Sequence, residues 1–178
     1  MHQPTLTTKR LVLRPFTHFD VSRVAELAGD RRIADVTAHI PHPYSPEIAV
    51  AWIKSHEPAW EAGHRAAFAV TLKESGLLIG TVSLMRIKDE TAEIGYWTGV
   101  EYWNNGYSTE ASQALIEFGF QTLSLKRING SHLARNPASG RVLEKCGFTR
   151  QRSITSQLGL MALEEIIELY WLEPNNFE

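Results

Sequence analysis

The stretch Glu93-Ile94-Gly95-Tyr96-Trp97-Thr98, continued by Trp103-Asn104-Asn105-Gly106-Tyr107-Ser108-Thr109-Glu110-Ala111, decides how the rest of the chain reads. Ala92 to Thr98 has the apolar and aromatic density of a strand. Gly106 follows in a short polar loop, and then Ala111, Ala114, Leu115 and Phe118 recur at the i, i+3, i+4, i+7 spacing of a buried helix face. A strand that feeds a helix through a glycine turn leaves the first N–H groups of the helix unpaired at the positive end of its dipole. Such groups can hold a phosphate with no lysine or arginine. A P-loop would need a Lys-Ser/Thr pair after a second glycine, and a dinucleotide fingerprint would need three spaced glycines; neither is present. Taken alone, the loop fits an ordinary helix start with a glycine turn equally well.

Upstream, Leu11-Val12-Leu13-Arg14 reads as a first strand stopped by Pro15. Asp20 is placed to cap a helix running to about Ala28. Residues 31–46, rich in proline and histidine, read as an irregular connector. Ser45-Pro46 then opens a second helix ended by Gly63, with Ala49, Trp52, Ile53 and Trp60 as its buried stripe. Ala66 to Leu72 and Leu77 to Met85 are two strands around the hairpin-like turn Lys73-Glu74-Ser75-Gly76. Downstream, Arg127 to Leu133 is a strand, and Asn136-Pro137 opens a helix that Gly147 stops. Ile154 and Glu165 to Leu172 mark two final strands. A hairpin ahead of a strand–helix–strand unit favours a mixed α/β sheet over a doubly wound one.

At 178 residues and 43% hydrophobic content the chain is long and apolar enough for one packed domain, here taken as residues 1–178. With net charge −2 and only the pairs Lys9-Arg10 and Lys126-Arg127, there is no basic footprint for nucleic acid. No window approaches the ~20 apolar residues of a membrane span, and the N-terminus lacks a signal-peptide core. A cytoplasmic protein is expected. The single cysteine, Cys146, excludes an internal disulfide.

The second informative stretch is Asn136-Pro137-Ala138-Ser139, running through Arg141-Val142-Leu143-Glu144-Lys145-Cys146-Gly147-Phe148. Asn136 suits a helix cap, and Ser139 falls in the first turn, where its hydroxyl can face the helix mouth. Together with Thr8-Lys9-Arg10-Leu11-Val12-Leu13-Arg14, Ile94-Gly95-Tyr96-Trp97 and Gly106-Tyr107-Ser108-Thr109-Glu110-Ala111, this stretch resembles the GNAT superfamily of N-acetyltransferases. The likeness is nearest to its RimJ/RimL-type branch and covers essentially the whole chain. It implies a GNAT fold of the α/β (α+β) class: a mixed, mostly antiparallel sheet of about seven strands, splayed at the cofactor site and flanked by about four helices. It also implies acetyl-CoA as donor, no metal, and acyl transfer to an amine, either a protein N-terminus or a small molecule. A dimer is as compatible with the family as a monomer.

By that resemblance, Asn104, Asn105, Gly106, Tyr107, Ser108 and Thr109 hold the CoA diphosphate. The pantetheine arm runs along Ile94, Tyr96, Trp97 and Thr98, and a backbone N–H near Tyr96 or Trp97 polarises the thioester carbonyl. Asn136 either contacts the pantetheine or only fixes its turn. Glu93 is the candidate base, acting through water, because a carboxylate among Ile94, Tyr96 and Trp97 needs a partner or solvent. The alternative is a solvent-facing glutamate. Ser139 is the candidate partner of the departing sulfur, against a purely local helix serine. Two positions depart from the family pattern. The loop has Trp103 and Ser108 where Gln/Arg and Gly/Ala are usual, and Leu143 stands where many relatives carry a general-acid tyrosine.

Cys146, in the last turn of its helix, reads as a buried structural thiol, so transfer is expected to be direct. His39 and His42 make a poor metal pair and fit an acceptor-pocket lining better. His132 shares strand parity with Ile128 and Gly130, and reads as a hydrogen-bonded core histidine or a cofactor-side group. Residues 31–60 and the last two strands are expected to form the acceptor pocket, which does not look acidic enough to favour a polyamine. The competing reading is a CoA-binding sensor that has lost turnover; retention of Glu93 and Ser139 argues for the enzyme.

Overall fold

The computed structural model describes residues 2–176, whose strands form one eight-stranded sheet in the order β1-β2-β3-β4-β5-β6-β8-β7. They are β1 (Leu6–Thr7), β2 (Leu11–Arg14), β3 (Arg65–Leu72), β4 (Leu78–Lys88), β5 (Thr91–Thr98), β6 (Arg127–Leu133), β7 (Thr149–Ser156) and β8 (Glu165–Leu172). The α-helices are α1 (Val21–Ala28), α2 (Arg31–Ala34), α3 (Pro46–Lys54), α4 (His56–Glu61), α5 (Tyr107–Gln121) and α6 (Pro137–Lys145). Every neighbouring pair is antiparallel except β5 and β6, which the crossover helix α5 joins in parallel.

The mixed, mostly antiparallel sheet agrees with the sequence reading, with one strand and two helices more. The additional strand is the two-residue β1, too short to carry an alternation signal. One additional helix is the single turn α2, inside the stretch read as irregular. The other arises because the helix read from Ser45 to Gly63 is broken at Ser55 into α3 and α4. Pro58 explains the break: a continuous helix would need an N–H there to bond the carbonyl of Lys54, and the ring would clash with that carbonyl. Trp52 and Trp60 therefore lie on different helices, both only partly buried.

Period-two alternation sends successive residues to opposite faces of the sheet. On β3, Phe68 packs into the cluster with Leu84, Ile94, Leu115, Ile116 and Leu143, the face covered by α5 and α6. Its neighbour Ala69 packs on the other face with Val24, Leu27, Ala49, Ile53 and Leu78, under α1 and α3. Each fully buried large side chain contributes about 1.5–3 kcal/mol, and these two layers clamp the sheet from both sides. Asp20 stands at the N-cap of α1 but makes no side-chain cap there. Its carboxylate instead accepts two bonds from Arg14, at 2.7 and 2.8 Å, and one from the Thr17 N–H at 2.8 Å. Ser45 likewise occupies the N-cap of α3 without a side-chain cap.

Candidate active site

β5 and β6 pair only at Thr91–Arg127, Ala92–Ile128 and Glu93–Asn129. Beyond Glu93 the strands part, and β5 continues to Thr98 with its β6-facing edge out of the ladder. A cleft of about 1290 Å³ opens there. It passes through the sheet, because residues of both faces line it: Ile94, Tyr96 and Thr98 on the α5/α6 side, and Glu93, Gly95 and Trp97 on the other.

One end of the cleft is the start of α5. Gly106 adopts φ +78°, a left-handed conformation that costs an L side chain about 1–2 kcal/mol, and Asn104 is also left-handed at φ +62°. No side chain caps the helix. The first intrahelical bond runs from the Glu110 N–H to the Gly106 carbonyl at 3.0 Å. The N–H groups of Tyr107, Ser108 and Thr109 thus precede the helical ladder, on residues that line the cleft. Ser108 Oγ lies 3.4 Å from Thr98 Oγ1, which ties helix to strand. Asn104 also lines the cleft, whereas Asn105 does not. The Asn105 amide bonds the carbonyls of Tyr102 and Trp103, and its own carbonyl accepts from Arg10 at 3.0 Å.

The N-terminal Thr8-Lys9-Arg10 stretch holds this loop from behind. Glu110 accepts from Thr8 Oγ1 at 2.6 Å, from the Arg10 N–H at 2.8 Å and from Arg10 Nε at 2.7 Å. Burial pushes the Glu110 pKa up, but the hydrogen bonds from Thr8 and Arg10 outweigh it and hold the carboxyl below its usual range. The Arg10 guanidinium also lies 4.5 Å from the ring centre of Tyr107.

The other end is the mouth of α6. Asn136 caps the helix weakly, its Oδ1 accepting from the Ser139 N–H at 3.4 Å, while its amide donates to the Val36 carbonyl at 3.3 Å. Both Asn136 and Ser139 line the cleft. The Tyr96 phenol reaches across from β5: its Oη donates to the Ser139 carbonyl at 2.8 Å and lies 3.0 Å from Ser139 Oγ. Burial raises the Tyr96 pKa well beyond the normal tyrosine range, so the phenol keeps its proton. The Tyr96 side chain thus has a place in the site beyond its backbone. Strand parity is the sequence signal for this, since it sends Tyr96 to the α6 side of the sheet with Ile94. Leu143, where relatives carry a tyrosine, is buried in the core. Cys146 is buried beside Thr109, and desolvation pushes its thiol up to about 12, so it stays protonated at neutral pH.

Glu93 is not beside Ser139: the two lie toward opposite faces of β5. The side chain of Glu93 is 41% exposed and pairs with Arg86 at 2.5 Å through Oε2. Arg86 sits at φ +51° where the β4–β5 register slips between Met85 and Lys88. That bulge brings the guanidinium onto the cleft rim, a common use of such irregularities. On the same side of the sheet the connector contributes His39 and Tyr44, and α3 contributes Ile48 and Trp52, to the cleft wall. His42 is not in that wall. His132 serves both readings, bonding the Leu133 carbonyl through Nδ1 at 2.8 Å, approaching Tyr170 Oη at 3.3 Å, and lining the cleft.

A sheet split between parallel neighbours, with a glycine-led helix start at one end of the split, is the arrangement that the GNAT resemblance implies. Residues 10–149 match the family described as Acetyltransferase (GNAT) domain, and the chain belongs to that family. It is similar to the uncharacterized N-acetyltransferase YnaD of Bacillus subtilis (strain 168), with 33% identity over 148 residues, covering 82% of this chain and 83% of that protein. Among solved structures it resembles a GNAT-family acetyltransferase from Bacillus anthracis, with TM-score 0.84 and 25% identity over 96% of this chain and 98% of the other. It also resembles Mycobacterium smegmatis RimJ in complex with CoA-disulfide, with TM-score 0.89 and 18% identity over 98% and 91%. The protein is therefore an acetyl-CoA-dependent N-acetyltransferase that passes an acetyl group to an amine. Among the described residues, no helix is long and apolar enough to cross a membrane.

Proposed function

We propose that residues 1–178 form one acetyltransferase domain, working in the cytoplasm, in which the amine attacks acetyl-CoA directly. Support for the donor site comes from one conjunction: uncapped N–H groups at the start of α5 open into the same cleft as the freed edge of β5. The N–H groups of Asn104 and of Gly106 to Thr109 bind the diphosphate, while Asn105 fixes the loop through its bonds to Arg10, Tyr102 and Trp103. Arg141 and Lys145 line the cleft on α6 and have no ion-pair partner among the described residues, so they are available to the remaining phosphate charge. Ile94, Tyr96, Trp97 and Thr98 guide the pantetheine arm, helped by the Asn136 amide. Acetyl-CoA supplies an activated acetyl group; the chain supplies position, polarity and a base.

A backbone N–H of β5 near Tyr96 or Trp97 polarises the carbonyl, a preorganised donor in a partly water-excluded cleft. Glu93 takes the amine proton through water at Oε1, the oxygen that Arg86 leaves free. On the opposite face the neutral hydroxyls of Tyr96 and Ser139 stabilise the leaving thiolate by hydrogen bonds, supported by the α6 dipole, and the thiolate takes its proton from water. The split sheet thus separates proton removal from stabilisation of the leaving sulfur, with the base on one face and the hydroxyl pair on the other.

The test is free-thiol release from acetyl-CoA over a panel of N-terminal peptides and small amines. Release above the no-amine background with any acceptor supports the transferase. Tight CoA binding with no release for every acceptor would establish the sensor instead.

A further inference from the structure

The acceptor half of the cleft has an unbalanced charge, and a second bulge creates it. On β7, Arg150 lies opposite Tyr170 and Arg152 lies opposite Leu169, with the register slipping between them. In an unbroken strand residues two apart share a face. Here they do not. Tyr170 pairs with Gly130, whose open side is filled by Leu143 of α6, so Arg150 belongs to the α6 face. Leu169 pairs with Ser131 on the other face, and the extra residue Gln151 re-aims Arg152 to that side, where it lines the cleft.

The other arginines on β6, on β7 and in the turn after β6 are neutralised. Arg150 pairs with Glu168 at 2.6 Å, Arg127 with Glu173 at 2.9 Å and Arg135 with Glu165 at 2.5 Å. Arg152 has no carboxylate or hydrogen-bond partner among the described residues. Glu93 is the one acidic residue among those that line the cleft, and Arg86 already occupies it. The acceptor wall therefore presents a guanidinium without a counter-ion and no carboxylate without one. Ile154 and Ile167, paired across β7 and β8, give Arg152 an apolar floor.

Resting on the acetyl-transfer reading above, we propose that the acceptor is an amine whose carrier bears a carboxylate, anchored by Arg152. The carboxylate takes the planar fork of the guanidinium, and the amine is thereby turned toward Glu93. A polyamine would bring further cations to a wall with no free carboxylate, and is a poor acceptor. Two sources offer the same chemistry: a small amino acid and an acidic peptide N-terminus.

The test compares acceptor twins. One arm uses peptides with Glu or Gln as the second residue. The other uses a small amino acid and its amide, at equal concentration of neutral amine. The wild-type protein is expected to use the carboxylate member of at least one arm with kcat/KM roughly tenfold to a hundredfold higher, the range for a charge-assisted hydrogen bond. The arm that shows the preference identifies the source. Arg152→Gln is expected to erase it while the amide members change by less than about twofold, and Arg152→Glu to reverse it. Twins used equally by the wild-type protein, or a preference that survives Arg152→Gln, overturn the assignment while leaving the transferase intact. No release with any amine, with CoA still bound, removes both.

Discussion

The two sides of the cleft differ in what builds them. On the side proposed for the cofactor, a backbone turn at Gly106 and two short motifs, Gly106–Ala111 and Asn136–Ser139, supply the uncapped helix N–H groups and the helix-mouth side chains, each positioned by its own local structure. On the acceptor side the wall is assembled from His39, Tyr44, Trp52, Arg86 and Arg152, which come from segments far apart in sequence and are aimed by two bulges. A ligand common to a whole family is met by main chain, which side-chain drift leaves intact. A ligand that varies is met by side chains on irregular strands, where one inserted residue redirects a charge.

The contrast is sharpest in catalysis. The double variant Tyr96→Phe/Ser139→Ala removes both hydroxyls proposed to face the leaving sulfur but leaves the α5 amides untouched. It is expected to lower kcat by about 10²–10³ while CoA affinity stays within a few-fold. A change in CoA affinity with kcat preserved would reassign both hydroxyls to binding. Rapid-quench single-turnover rates beside calorimetric titration separate the two.

The next effect belongs to the acceptor side alone. His56 is buried behind that wall against Phe16 and Trp52, with ring centres 5.2 and 4.4 Å away, and neither of its nitrogens has a hydrogen-bond partner. Desolvation, aided by the nearby Arg65, pushes its pKa down to about 4 from 6.5. In that window the unfolded chain binds a proton that the folded chain refuses, so stability falls as pH drops from about 6.5 to 4 and levels off below. The loss is on the order of 3 kcal/mol at ~1.4 kcal/mol per pH unit. Urea titrations across that range are expected to show the slope in the wild-type protein and a reduced one in His56→Leu. An unchanged slope in the variant would place the titration elsewhere.

A smaller change tests the cofactor side. Gly106→Val forces a β-branched residue into φ +78°, where the nearest atom to its Cβ, Arg10 Nη2, is at an unstrained 3.6 Å. The penalty is therefore conformational, and a cost of about 1–2 kcal/mol weakens CoA binding by roughly fivefold to thirtyfold. The affinity of the acceptor side for a free carboxylate-bearing amine is expected to stay constant. Equal loss on both sides would mean that the variant disturbs the fold rather than the loop.

The cofactor side was readable in the sequence for the same reason that it is robust. The apolar spacing of Ala111, Ala114, Leu115 and Phe118, the Asn136-Pro137 start and the Gly147 stop all report short-range geometry, and α5, β6 and α6 form where those signals place them. The parting of β5 from β6 was expected from family resemblance alone, since no local pattern records where a parallel pair stops. Residues 31–60 were harder. The apolar spacing of Ala49, Trp52, Ile53 and Trp60 is helical throughout, and only Pro58 marked the break that divides α3 from α4. Arg152 was invisible, because Arg150 and Arg152 stand at a spacing that normally means one face, and the slip at Gln151 leaves no trace in composition. Pairing Glu93 with Ser139 in one mechanism required knowing that the cleft passes through the sheet.

The most direct measurement is a crystal structure of the protein with acetyl-CoA bound. The diphosphate is expected on the N–H groups of Tyr107, Ser108 and Thr109, with the thioester between Tyr96 and Ser139 on one face of β5 and Glu93 on the other. A diphosphate bound away from the start of α5, or a thioester outside the gap between β5 and β6, would contradict the assignment of this cleft.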